Sequence, residues 1–145
     1  MMGGGRTANR TKNHLRFIPH NTSWRLTNTQ DEALGWVEED SVEFEAESTF
    51  DSECLGEIVR FMTEHKAPEG ENRLNFTKLS PLPNRKTERW QLTLDVEELG
   101  TVQWRSGWRR YVIGFENDSP LLLSDIRALQ LFLKDETDKR RSQWK

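Results

Sequence analysis

The sequence predicts an α+β fold in which a ββββα unit occurs twice. The copies are expected to lie about a pseudo-two-fold axis, each with one helix on an antiparallel sheet. Three observations predict it. First, short apolar patterns recur in the same order: HLRF at 14–17 and RLNF at 73–76, then WRLT at 24–27 and WQLT at 90–93. Second, Leu34-Gly35 followed by Val37 recurs as Leu99-Gly100 followed by Val102. Third, an amphipathic helix pattern closes each copy, with Ile58 and Ile126 in matching places. Self-similarity of this kind marks each copy as one supersecondary unit, which buries its apolar face against its neighbour.

The chain divides at changes of composition. Residues 1–13 are Gly-rich, polar and basic, the signature of a disordered arm. The first repeat spans 14–66, and Pro68 and Gly70 mark 67–72 as a linker. The second repeat spans 73–138, and 139–145 forms a charged tail, the whole being one compact domain. Leu, Ile, Val and Phe total 33 of 145 residues, enough for a thin core, which six tryptophans enlarge.

Strands are expected near 14–19, 22–28, 34–39 and 42–47, and again near 73–79, 88–94, 99–105 and 108–115. Alternation supports them: Trp90, Leu92 and Leu94 point one way, Gln91 and Thr93 the other. Ser106-Gly107 is the tight-turn signal of the last hairpin, with Gly107 supplying the positive φ. Asp51 caps the first helix, whose stripe is Leu55, Ile58, Val59 and Met62. Ser119 caps the second, with Pro120 at its first position. Its stripe is Leu122, Ile126, Leu129 and Leu133, widened by Leu131 and Phe132 toward the other copy.

The two copies differ in charge. Residues 14–66 carry 4 basic and 12 acidic side chains, whereas 73–138 carry 10 of each. With Ser106-Gly107 as turn residues, Arg105 faces Trp108, Gln103 faces Arg110 and Val102 faces Tyr111. Val102, Trp104, Tyr111, Ile113 and Phe115 then form a core face. The opposite face holds Thr101, Gln103, Arg105, Trp108, Arg110 and Val112, extended by Arg89, Gln91 and Thr93. Pairing Glu39 with Val42 gives the first copy an outer face of Trp36, Glu38, Glu43 and Glu45, with Glu43 in the place of Arg110.

Arginines interleaved with an aromatic on a sheet face suit single-stranded nucleic acid, where guanidinium groups neutralise phosphates and the ring stacks on a base. Arg89, Gln103, Arg105, Trp108 and Arg110 are the candidate binding residues. Half-exposed strands also carry Arg and Trp for packing alone, with the arginine stem along the ring. The alternative function is a protein-interaction module, such as a phage-type inhibitor or acidic nucleic-acid mimic, using Trp36, Glu38, Glu43 and Glu45.

Catalytic and metal chemistry find no support. His14, His20 and His65 have no carboxylate or cysteine at ligand spacing, and the Gly-rich run at 3–5 lacks the context of a phosphate loop. No enzyme activity, cofactor or metal is expected. The lone Cys54 reads as a small buried residue, although its place in a first helical turn could lower its pKa. No apolar run is long enough to span a membrane, and no apolar signal-peptide core is present, so a cytoplasmic protein is expected. Homodimerisation is left open.

The doubled strand-strand-strand-strand-helix order over residues 14–136 resembles the Whirly and PUR-alpha single-stranded nucleic-acid-binding proteins. The resemblance is one of topology, and it implies two repeats assembled with pseudo-two-fold symmetry whose sheets present a nucleic-acid surface. LGTVQWRSGWRRY at 99–111 also resembles a motif of short uncharacterised bacterial and phage proteins.

Overall fold

The computed structural model describes residues 15–118 and 120–143. The expected arm at 1–13 and the helix cap at Ser119 lie outside them. The first half runs β1 (Leu15–His20), β2 (Ser23–Asn28), β3 (Ala33–Val37), β4 (Val42–Phe44), β5 (Thr49–Phe50) and α1 (Ser52–Glu64). The second runs β6 (Leu74–Leu79), β7 (Arg89–Leu94), β8 (Glu97–Arg105), β9 (Arg110–Phe115), β10 (Pro120–Leu121) and α2 (Leu123–Ser142). The chain is therefore α+β, as the sequence predicts. The helix α2 continues through residues expected to form the charged tail.

Two strands escape the sequence pattern, and they join the halves. The sheets have the orders β1-β2-β3-β4-β10 and β5-β9-β8-β7-β6. Each half thus lends its short fifth strand to the other half's sheet. Thr49 and Phe50 lie opposite Gly114 and Ile113, and Pro120 and Leu121 opposite Glu43 and Val42. Two residues cannot show alternation, so these strands leave no periodic trace. Pro120 is a sheet-edge residue rather than the first residue of a helix, a place where its missing N–H costs no ladder bond. The helix begins at Leu123, and the Asp125 carboxylate accepts a hydrogen bond from the Leu122 N–H at 3.0 Å.

The two halves match in register. Trp24 lies opposite Val37 and Trp90 opposite Val102, while Leu26 and Leu92 lie opposite Gly35 and Gly100. Both ladders then bulge one step later, between Leu26 and Thr27 and between Leu92 and Thr93. A Cβ at Gly35 or Gly100 would collide with the carbonyl oxygen of Glu43 or Gly114, so only glycine permits this approach. Phe17 stacks on Phe61 at 4.0 Å and Trp24 meets that ring edge-on at 5.1 Å. Phe76, Phe132 and Trp90 repeat the arrangement at 4.0 and 5.0 Å. Counted from each helix start, Leu55 falls level with Ile126 and Ile58 with Leu129. The expected match of Ile58 to Ile126 is off by about one helical turn, because apolar positions three apart serve the same stripe.

One core serves both halves. Phe44 and Phe115, at corresponding places on β4 and β9, stack face to face at 4.4 Å, with Phe50 edge-on to each. The buried cluster draws on both sheets and both helices. Asp51 caps α1 by accepting from the Cys54 N–H at 2.9 Å. Leu55, Ile58, Val59 and Met62 are buried, as are Ile126, Leu129 and Leu133. Leu122 is a half-buried capping residue, and Leu131 is 51% exposed, so the expected widening of the second stripe rests on Phe132 alone.

Both expected hairpin registers shift by two residues. Arg105 pairs with Arg110, Trp104 with Tyr111, Gln103 with Val112 and Val102 with Ile113. The turn is a four-residue loop, Ser106–Arg109, in which the Trp108 and Arg109 N–H groups donate to the Arg105 carbonyl. Arg109, not Gly107, holds the positive φ, at 56°. In the first half Val37 pairs with Val42, and the turn closes through Glu38 N–H to Ser41 carbonyl at 2.7 Å. A shift of two keeps every side chain on its expected face, since the strand period is two. It does change the neighbours: Glu43 is level with Gly114, not with Arg110.

Candidate nucleic-acid interface

The outer face of the second sheet is built from three cross-strand rows. Gln91, Thr101, Gly114 and Thr49 form the first, and Gln103 and Val112 the second, with Arg89 one residue beyond the last β7–β8 pair, Trp90–Val102. Arg105 and Arg110 form the third, next to the loop that carries Trp108. Val112, Gly114, Gln103, Arg105 and Thr49 line a trough of about 350 Å³, to which Arg85 from the β6–β7 loop also contributes.

Local geometry sets each side chain. The Arg105 guanidinium lies over the Trp108 ring, 4.5 Å from its centroid, which orients both for stacking. Arg89 donates from Nε to the Ser80 carbonyl at 2.9 Å, which fixes its stem and leaves the rest of the guanidinium to other partners. Gln91 spends its amide on the Gly100 carbonyl at 2.9 Å. Gln103 is exposed on the trough. Four of the five expected residues, Arg89, Gln103, Arg105 and Trp108, therefore share this surface.

Arg110 is otherwise engaged. Its Nη1 lies 3.0 Å from the Asp51 carboxylate and 3.5 Å from that of Glu53, and its Nε donates to the Trp108 carbonyl at 3.2 Å. Asp51 is fully buried and caps α1, so Arg110 neutralises a carboxylate that the helix start requires. Sequence reading missed this pair because its partners lie in different halves.

Arg85 is the residue that the sequence analysis did not single out. It ends a hydrogen-bonded turn in which its N–H donates to the Leu82 carbonyl at 3.0 Å, and Asn84 holds a φ of 64°. Pro83 and Asn84 at the central positions are the chemistry of a type II turn. That signal was present, but nothing periodic said the turn would face the sheet.

The alternative surface is less uniform than expected. Trp36 on β3 lies between Arg25 and Glu43, with His20 edge-on at 5.4 Å. Arg25 thus breaks the expected run of carboxylates. Glu38 stands at the turn after β3, and half-buried Glu45 follows β4, where its N–H donates to the Leu34 carbonyl.

Cys54 is buried. Desolvation, then the nearby Asp51 carboxylate, push its thiol well above the ordinary range, against any reading as a low-pKa nucleophile. Among the described residues no three His, Cys, Asp or Glu side chains group as metal ligands, and no helix is long and apolar enough to cross a membrane. Comparison with family models, curated proteins and solved structures finds no match to this chain.

Proposed function

We propose that the chain is a small non-enzymatic module that binds single-stranded nucleic acid on the outer face of its second sheet. The observation that supports this best is the trough between Arg85 and the β8–β9 hairpin, edged by the stacked Arg105–Trp108 pair. Two guanidinium groups beside an open trough suit a phosphate backbone, and Arg89 at the start of β7 is a third cation on the same face of the sheet. Trp108 supplies a ring for base stacking whatever the base. Arg110 contributes by holding the hairpin against α1 rather than by contacting ligand. A nucleic-acid ligand and a lone reduced thiol fit a cytoplasmic location.

The test is a titration of a labelled single-stranded oligonucleotide against the protein in low salt, repeated with Arg85→Ala and Arg105→Ala. Binding weakened by both variants supports the reading. An absence of binding to the wild-type protein in low salt overturns it.

A further inference from the structure

The two halves differ at the hairpins β3–β4 and β8–β9. In the second half the hairpin extends far enough to carry Trp104 and Tyr111 as a pair, ring centroids 5.2 Å apart. Tyr111 then meets Trp90 edge-on at 5.4 Å, and Trp90 is left 7% exposed. In the first half the hairpin closes at Glu38–Ser41, so the rung that would carry a roof for Trp24 is missing. Trp24 is only half-buried, and a groove of about 520 Å³ opens above it.

The groove is lined by two chemically distinct groups of side chains. Trp24, Phe61 and His65 supply rings, with Phe61 stacked on His65 at 4.1 Å and Trp24 edge-on to both. Glu38, Glu39 and Asp40, in the short turn that follows Val37, supply three exposed carboxylates to the same groove. Among the described residues none of these three makes an ion pair, whereas Asp51, Asp125, Glu69 and Glu88 each do. Among the described residues Lys66 is the one lysine or arginine lining the groove. The groove also adjoins the C-terminal end of α1, whose last turn holds no basic residue, and that end of a helix favours a cation.

We propose that this groove receives an arginine side chain of a partner protein. A guanidinium is planar, stacks on aromatic rings and bonds carboxylates through its fork, which matches a groove lined by both rings and carboxylates. The guest would occupy the space that Trp104 and Tyr111 fill in the second half. The surface is distinct from the nucleic-acid trough, so the two readings stand or fall separately.

The test follows the six tryptophan indole N–H signals by NMR in the full-length protein, with the Trp24 signal assigned by its loss in Trp24→Phe. A blocked tri-arginine peptide is the probe, with tri-lysine and tri-glutamate peptides for comparison. The Trp24 signal is expected to move with tri-arginine, to move less with tri-lysine and to stay still with tri-glutamate. Glu39→Gln combined with Asp40→Asn should weaken tri-arginine binding roughly fivefold, two exposed charge pairs being lost. Both positions are exposed, and an unmoved Trp90 signal shows that the variant has kept its fold. An unmoved Trp24 signal at millimolar peptide, equal response to lysine, or unchanged binding by the double variant would each overturn the proposal. So would a single-stranded oligonucleotide that moves Trp24 while tri-arginine does not.

Discussion

Arg110 and Asp51 form an ion pair of 3.0 Å between the last hairpin of the second half and the helix cap of the first. The carboxylate is fully buried and the arginine side chain is 18% exposed, so the pair is largely shielded from solvent. Removing Arg110 leaves the Asp51 carboxylate buried with the Cys54 N–H but no counter-charge, at a cost of about 3 kcal/mol. Arg110→Ala should lower the urea midpoint by that measure. An unchanged midpoint would show that Asp51 finds a substitute partner.

Gly35 and Gly100 should both be intolerant of a side chain, Gly35 the more so because its φ is 152°. A Cβ at either would collide with a carbonyl oxygen of the neighbouring strand, so Gly35→Ala and Gly100→Ala must both shift backbone. Overpacking of this kind costs about 1–3 kcal/mol. A Cβ at Gly107 meets nothing within 4 Å, and Gly107→Ala should stay within about 0.5 kcal/mol of wild type. Denaturant melts of the three variants check the order.

Trp90 and Trp108 separate core from surface. Trp90 is 7% exposed beneath Tyr111 and Phe132, and Trp90→Ala should cost about 3–5 kcal/mol. Trp108 sits in the hairpin loop against Arg105, and Trp108→Ala should cost far less stability while removing about 1–3 kcal/mol of oligonucleotide binding. A larger stability loss at Trp108 would exchange the faces of the sheet.

Most of the fold was legible because periodicity survives in single residues. Trp90, Leu92 and Leu94 alternate with Gln91 and Thr93 as a half-buried strand must, and Asp51 announces α1 by its capping chemistry. What was illegible depends on tertiary pairing. Thr49-Phe50 and Pro120-Leu121 become strands only because the other half offers an edge. The loop from 106 to 109 holds two more residues than the Ser-Gly signal suggests, since Arg109 accepts the positive φ. In the candidate site, face assignment carried over because the error was an even number of residues. The roles of Arg110 and Arg85 did not, since one is set by a buried carboxylate 59 residues away and the other by how a loop lies on a sheet.

Partial burial of Glu57 gives the chain a pH-dependent term in its stability. Desolvation raises its pKa above the usual carboxylate range, with Arg60 opposing. The unfolded chain therefore ionises first as pH rises, binds fewer protons than the folded state, and is favoured. Stability from this group is full below the unfolded pKa and declines as pH rises through the folded one. Glu57→Gln should accordingly be more stable than wild type at neutral pH and equal to it near pH 3. Melts showing the gain at acid pH instead would reverse the sign.

The central claim is that Arg85, Arg89 and Arg105 hold a phosphate backbone on the second sheet, and its salt dependence is the most direct test. Fluorescence anisotropy of a labelled single-stranded oligonucleotide, titrated at several salt concentrations, gives the log–log slope. Each neutralised phosphate of a single strand contributes about −0.7, so three arginines predict a slope near −2. The Arg85→Ala/Arg105→Ala double variant should retain a slope near −0.7. No binding by the wild-type protein in low salt, or the same slope in the double variant, would contradict the account.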